Sequence, residues 1–217
     1  MTEDALEYIV RKFSVDTSQK PPIEIRNINR TIMARVLGEL EFKVGAEIGI
    51  AQGNHAKLLC EANPGLKLFC IDIWEPYRGY NEYADRIGRY YKEAETKLAP
   101  YNCVFIKKFS MEAVSDFDNE SLDFVYIDGA HDFKSVADDV CEWTKKVRIG
   151  GIVFGHDYKR SRDTGGKYPV DVKDVIQAYT YSHGITPWFV LKNEIKDPQF
   201  GHDNPGWLFV RQKTGRL

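Results

Sequence analysis

Apolar runs alternate with amphipathic segments along the chain from Phe42 onward. A short apolar run bounded by polar residues or glycine predicts a β-strand. Five such runs are present, at Val44–Ile50, Leu66–Ile71, Asn102–Ile106, Leu122–Ile127 and Gly151–Phe154. The run that precedes Asp128 is apolar at nearly every position, which is typical of a strand covered on both faces.

The segments between these runs carry apolar residues at helical spacing. The stripes comprise Phe133, Val136, Val140, Trp143 and Val147; Tyr83, Ile87, Tyr90 and Ala94; and Val172, Val175, Ile176 and Tyr179. We expect Gly150 and Gly151 to end the first of these helices, and Asp171 to cap the last. The resulting β-α-β order predicts an α/β fold, with a doubly wound, mostly parallel sheet and helices on both faces.

The two ends of the chain fall outside this alternation. Residues 1–40 predict N-terminal helices, separated by a polar turn at Pro21 and Pro22, that pack on the core or the substrate side of a domain formed by residues 41–217. Towards the C-terminus, Trp188–Leu191 and Trp207–Arg211 predict two closing strands, which bring the sheet to seven. The polar segment Glu194–Pro205 between them predicts a surface loop.

Composition narrows the class of protein. The chain has 217 residues, 43% of them apolar and 29% charged, which suits one soluble α/β domain. A net charge of −2 argues against nucleic acid or an anionic membrane as a partner. No stretch approaches the roughly 20 apolar residues of a membrane span. None of the four cysteines forms a Cys-x-x-Cys pair, so we expect reduced thiols and a cytoplasmic protein.

The first predicted strand and the turn that follows it are rich in glycine and contain an acid. Its glycines are Gly45, Gly49 and Gly53, with Glu47 between them. Dinucleotides need Gly-x-Gly-x-x-Gly to seat a pyrophosphate, and that spacing is absent. The carboxylate of Glu47 would repel a phosphate and would suit a cationic ligand. The alternative is a tight strand–helix turn that binds nothing.

Asp72 ends the second predicted strand, where a carboxylate can accept hydrogen bonds from both ribose hydroxyls of an adenosine. It could instead be a simple turn residue. Ile73 and Trp74 follow it and would line the same ligand. Ser110 and Met111 follow the third strand, where an adenine edge would lie, although Ser110 could equally cap a helix.

Glu47-Ile48-Gly49-x-x-x-Gly53 followed by Asp72 resembles the cofactor signature of class I S-adenosylmethionine-dependent methyltransferases. The resemblance extends over Phe42–Trp207. It implies a Rossmann-like fold with an antiparallel last strand, and S-adenosylmethionine as the cofactor.

Four polar residues end the fourth and fifth predicted strands: Asp128, His131, His156 and Asp157. Neighbouring parallel strands would bring them together in one crevice, beside the cofactor loop. Each also has a structural alternative. Asp128 and His131 could belong to a helix start, His156 could be a packed neutral imidazole, and Asp157 a loop carboxylate. The other histidines, His55, His183 and His202, are interpreted as surface residues.

Asp128-x-x-His131 with Asp157 resembles the metal-dependent O-methyltransferases, in particular the branch that methylates sugar hydroxyls of macrolide-type antibiotics. The resemblance implies that Asp128 and Asp157, with His156, bind Mg²⁺ or another divalent cation. It implies His131 as catalytic base, with Asp128 also beside the cofactor and reactants. The chain departs from that branch at His156, where a second acid is usual.

These observations predict a methyltransferase that acts on a hydroxyl of a small molecule of sugar or natural-product type. The N-terminal helices offer a surface for a homodimer. Two other classes stay open: a nicotinamide-dependent oxidoreductase, which the missing Gly-x-Gly-x-x-Gly disfavours, and a non-catalytic nucleotide-binding module.

Overall fold

A single sheet organises the protein, in a computed structural model that describes residues 4–76, 86–164, 168–194 and 203–213. Within these residues the strands are β1 (Ile23–Arg26), β2 (Val44–Ile48), β3 (Lys67–Asp72), β4 (Cys103–Lys107), β5 (Leu122–Ile127), β6 (Val147–Gly155), β7 (Phe189–Lys192) and β8 (Gly206–Val210). Their spatial order is β1-β7-β8-β6-β5-β2-β3-β4. Only β8 runs antiparallel to its described neighbours, β6 and β7. The α/β class and the antiparallel last strand are therefore confirmed.

Helices cover both faces of the sheet. They are α1 (Ala5–Lys12), α2 (Arg30–Glu39), α3 (Asn54–Ala62), α4 (Ile87–Leu98), α5 (Ser110–Ala113), α6 (Phe133–Lys146), α7 (Ser161–Thr164) and α8 (Val172–His183). Side chains of β5 alternate between two cores, because successive residues of a strand point to opposite faces. Phe124 and Tyr126 pack with α1 to α4, and Val125 and Ile127 pack with α6 and α8. Among the described residues no helix is long and apolar enough to cross a membrane.

The sheet has eight strands in the described residues rather than the predicted seven. The additional strand is β1, which lies within residues 1–40, where only helices were predicted, and pairs in parallel with β7 at the sheet edge. Its four residues alternate between buried and exposed, a pattern too short to distinguish from a turn by sequence alone.

The residues predicted to end one helix and to cap another have different roles in the structure. Helix α6 ends at Lys146 and β6 begins at Val147, so Gly150 and Gly151 lie inside a strand. Pairing with β5 shifts register here, and a Cβ on Gly151 would lie 2.4 Å from the carbonyl oxygen of Asp123, so these glycines permit an irregular strand. Asp171 precedes α8 but accepts a hydrogen bond from the backbone N–H of Phe133 instead. Tyr83, in a predicted helical stripe, and His202 lie outside the described residues.

We expect Phe124→Ala to destabilise the protein by about 3–5 kcal/mol. The ring of Phe124, a residue of β5, is fully buried, and its loss leaves a cavity. The measurement is chemical unfolding followed by tryptophan fluorescence. Phe133→Ala is the matched control, since that side chain is 56% exposed and its loss should cost no more than about 0.5 kcal/mol. Equal losses for the two variants would contradict this assignment of the core.

Candidate active site

A cavity of about 560 Å³ opens at the carboxyl ends of β2, β3 and β5. This is the edge at which parallel α/β sheets bind their ligands, and the volume lies within the range of small-molecule sites. Most of the predicted cofactor residues line it: Glu47, Gly49, Asp72, Ile73, Ser110, Met111 and Asp128. The predicted catalytic and metal residues His131, His156 and Asp157 lie at the same cavity.

The loop after β2 can follow its path only with glycine at position 49. Gly49 has a φ of 89°, and a Cβ there would lie 2.2 Å from the carbonyl oxygen of Asp128. The close contact places the loop directly against the end of β5. Gly53 also has a positive φ, 73°, but it packs against Ala94 and Leu98 of α4 and is not part of the cavity wall. Its role is therefore to turn the chain into α3, and the prediction of a cofactor contact for Gly53 is corrected.

The carboxylate of Asp72 holds this loop in place. Its Oδ2 accepts hydrogen bonds from the backbone N–H groups of Ile50 and Ala51 at 3.0 and 2.9 Å. Its Oδ1 accepts one from the N–H of Trp74 at 2.9 Å. The indole N–H of Trp74 donates to the carbonyl of Ala51 at 2.9 Å. Trp74 is buried behind the cavity wall, so the prediction that it contacts the cofactor is corrected: its indole supports the loop from the core.

Glu47 and His55 form a buried pair at the floor of the cavity. They are only 1% and 5% exposed, and Glu47 Oε2 lies 3.4 Å from His55 Nδ1. Neither these two atoms nor His55 Nε2 has a hydrogen-bond partner among the described residues. Burial raises the pKa of Glu47. The interpretation of His55 as a surface residue is wrong, because it lies in the first turn of α3, where its ring packs on Tyr126.

A second buried acid, Asp139 of α6, lines the cavity from another side. The hydroxyl of Ser110 donates to its Oδ1, and burial raises its pKa to about 7. Sequence reasoning missed this residue. The signal was available, because Asp139 lies three residues after Val136 and so falls on the apolar stripe of the helix, where a charge is unusual.

The ends of β5 and β6 bring Asp128, His131 and Asp157 together. His131 Nε2 lies 3.3 Å from Asp128 Oδ1 and 3.3 Å from Asp157 Oδ2. Burial alone would lower the pKa of His131, but the hydrogen bond to Asp128 and the negative charge of Asp157 outweigh it and raise the pKa. Burial favours the neutral form of both acids, yet the histidines hold their pKa values below the usual range. The two carboxylates therefore favour the protonated form of the His131 ring.

His156 belongs to a neighbouring charge chain. Its Nε2 lies 2.8 Å from Asp203 Oδ1, and Asp203 in turn accepts a two-pronged hydrogen bond from Arg30 at 2.8 and 2.9 Å. Burial alone would lower the pKa of His156, but its contacts with Asp157 and Asp203 raise it to about 10. Acids beside both ring nitrogens favour the charged ring over the alternative of a neutral packed imidazole. Sequence reasoning missed Arg30 and Asp203, since 173 residues separate them.

The structure also bears on which residues could bind a metal ion. One group among the described residues has ligand atoms that all lie within 4.8 Å of one another: Asp128, His131 and Asp157. His156 is not part of this group, and its Nε2 lies against Asp203. Its Nδ1 lies 3.6 Å from Asp157 Oδ1 and 4.0 Å from Asp128 Oδ1, so its role as a ligand stays a prediction. Two carboxylates suit hard divalent cations, and the imidazole extends the choice to transition metals.

Comparisons with known proteins identify the family to which the chain belongs. Residues 46–158 match the family model described as "Methyltransferase domain". A curated relative, the uncharacterized protein y4gI of Sinorhizobium fredii, is 21% identical over 115 residues. That match covers 53% of this chain but only 12% of the relative, so the chain corresponds to a small part of that protein.

Solved structures share the fold across almost the whole chain. An O-methyltransferase from Bacillus cereus, in complex with SAH, has a TM-score of 0.60 at 13% identity, covering 97% of this chain and 92% of its own. The O-methyltransferase TomG from Streptomyces achromogenes, in complex with SAM and involved in tomaymycin synthesis, has a TM-score of 0.55 at 16% identity, with 97% and 91% covered. At such low identity these structures establish the fold, whereas the family model matches more than half of the chain. The chain therefore belongs to the methyltransferase-domain family.

Proposed function

We propose that this chain binds S-adenosylmethionine in the cavity beside β2 and transfers its methyl group to a hydroxyl of a small molecule. The observation that carries the proposal is the buried pair of Glu47 and His55: both residues line the cavity, and their buried polar atoms have no hydrogen-bond partner among the described residues. Buried polar groups left unpaired cost free energy, so such atoms indicate a ligand that completes them.

An amino-acid group supplies both kinds of missing partner. An ammonium group can donate to the carboxylate of Glu47, and a carboxylate can accept from an imidazole N–H of His55. S-adenosylmethionine carries both groups and a positive sulfonium, which a carboxylate attracts. A pyrophosphate offers only negative charge at this point, which disfavours a nicotinamide dinucleotide.

The next part of the cofactor fits beside Asp72. This carboxylate lines the cavity and has oxygen lone pairs in addition to those used by the loop. A ribose whose hydroxyls donate to Asp72 would place the base towards Ser110 and Met111. The cofactor would then extend from Glu47 along the edge of the sheet, with its methyl group facing the ends of β5 and β6.

On the acceptor side, His131 is the group that would take the hydroxyl proton. Its pairing with Asp128 and Asp157 fixes the orientation of the ring. A divalent cation, Mg²⁺ or another, would be held by Asp128 and Asp157, and when bound would lower the pKa of an acceptor hydroxyl. Neutralising those carboxylates would remove the interactions that raise the pKa of His131, and so would favour the neutral ring that a base requires.

The acceptor would lie in the large cavity, which His131 lines together with Asp128 and Asp157. These side chains are polar, so they favour a hydroxyl-bearing acceptor such as a sugar or a natural product.

We expect wild-type protein to bind SAH in isothermal titration calorimetry. Asp72→Ala should weaken binding by roughly 100-fold or more, because two hydrogen bonds to a charged group are lost and each is worth about 1.5–3 kcal/mol. Glu61→Gln is the control, since Glu61 is an exposed residue of α3 paired with Lys57. No binding by the wild type at millimolar SAH would refute the cofactor assignment.

Replacing His131 with Ala or Gln should lower kcat for methyl transfer by roughly 10²- to 10⁴-fold through loss of the base, with less than threefold change in the Kd for SAH. The assay is methyl transfer to a panel of hydroxylated natural products. His183→Gln, on α8, should leave kcat unchanged. Activity of both His131 variants within threefold of wild type would exclude a general base at this position. SAH binding without transfer to any acceptor would support the non-catalytic alternative.

Metal binding is tested with Mn²⁺, which electron paramagnetic resonance detects directly. We expect the wild type to bind Mn²⁺ in the presence of SAH, and Asp157→Asn to weaken that binding at least tenfold, because one of the two charged ligands is lost. Asp163→Asn, in the exposed α7, serves as the control. If the wild type binds no Mn²⁺ at millimolar concentration, His131 acts without a metal.

A further inference from the structure

Asp139 is buried more deeply than a surface helix normally allows for a charged residue. It is 4% exposed, on the face of α6 that carries Val136, Val140 and Trp143. Burial raises its pKa to about 7. Its side chain nonetheless lines the large cavity described above. A carboxylate in this position lowers stability unless something hydrogen-bonds to it, so its partners are informative.

On the protein side, a short chain of donors ends at this carboxylate. The indole N–H of Trp143 donates to Ser110 Oγ at 2.7 Å, and the Ser110 hydroxyl donates to Asp139 Oδ1. A serine has one hydroxyl proton, so Ser110 has none left to offer a ligand. The two hydrogen bonds fix the carboxylate in one orientation.

The second oxygen of Asp139 has a different environment. No described residue donates a hydrogen bond to Oδ2. This atom lies 3.8 Å from the point where a Cβ of Gly129 would be, and Gly129 is itself part of the cavity wall. A nine-tenths-buried carboxylate therefore presents one unpaired acceptor atom to the cavity, at the Ser110 end.

We propose that Asp139 is the residue that recognises the base of the cofactor, with Oδ2 accepting a hydrogen bond from the exocyclic amino group of adenine. The inference rests on the proposed function, in which the ribose lies at Asp72 and the base at Ser110. An ionised carboxylate only accepts hydrogen bonds. It therefore favours adenine, which has an amino donor at position 6, over hypoxanthine, which has a carbonyl acceptor there.

The test compares SAH with its deaminated analogue, S-inosylhomocysteine, by calorimetry at pH 8. Wild type should bind SAH at least tenfold more tightly, because hypoxanthine would oppose two acceptors. Asp139→Asn should reduce the preference to threefold or less, since the amide can turn its NH₂ towards the hypoxanthine carbonyl. Glu142→Gln, an exposed acid three residues further along α6, should keep the wild-type ratio.

Ser110→Ala distinguishes direct recognition from a merely supporting role. If Oδ2 itself contacts the base, this variant keeps a preference for SAH within threefold of the wild-type ratio. The proposal is overturned if Asp139→Asn keeps the wild-type ratio, or if Ser110→Ala removes the preference as completely as Asp139→Asn does. Failure of the wild type to bind SAH at all would instead refute the proposed function.

Folding of the Asp139→Asn variant is checked without ligand. The carboxyl has its pKa raised from 3.8 to about 7, so ionisation destabilises the folded protein increasingly as pH rises from about 4 to 7. The charged or titratable groups that act on it are Asp132, Asp138 and His131. Asparagine removes that cost, so the variant should melt higher than wild type at pH 8, by on the order of 5 °C, and equally near pH 4. A lower Tm at pH 8 would show that the side chain is structural.

Discussion

The shape of the site depends on one carboxylate. Asp72 accepts three backbone hydrogen bonds, two from the loop after β2 and one from Trp74. Charge-assisted bonds of this kind are stronger than neutral ones, and together they hold the loop against the end of β5. Gly49 makes the close approach sterically feasible, because any larger residue would collide with the carbonyl of Asp128. The hydrogen bonds from Asp72 hold Ile50 and Ala51, directly after Gly49, and together these contacts shape this wall of the cavity.

Charge is arranged differently in the two halves of the cavity. On the side assigned to the cofactor, Glu47 and Asp139 are acids whose burial raises their pKa more than the nearby His55, Arg30 and His131 lower it. On the acceptor side, acids and imidazoles alternate, and Arg30 ends the chain. In the proposed assignment a ligand would supply donors to the first half, whereas in the second half the carboxylates already lie beside imidazoles and a guanidinium. Because the two halves differ in this way, we assign cofactor binding to Glu47 and Asp139 and proton transfer to His131.

Much of this arrangement was predictable from the sequence. Strand ends in a parallel sheet share one edge, so Asp72, Asp128 and Asp157 could be placed around one crevice without coordinates. Burial was harder to predict. Asp139 could have been found because it interrupts the apolar stripe of its helix, whereas no pattern in the sequence around His55 indicates that its ring is buried. The predicted cofactor contact of Trp74 was wrong because the position of a residue in the chain does not show which side of the loop its ring occupies.

Contacts between distant segments could not be predicted. Arg30 and Asp203 meet because β1 and β7 pair at one edge of the sheet, and β1 is too short to be recognised by periodicity. The contact between His156 Nε2 and Asp203 could not be foreseen for the same reason.

The most direct test of the account is a crystal structure of the protein grown with SAH. The account predicts that the amino-acid end lies at Glu47 and His55, the ribose hydroxyls at Asp72, and the adenine amino group at Asp139. A ligand bound in the reverse direction, or a cavity that stays empty at saturating SAH, would contradict it.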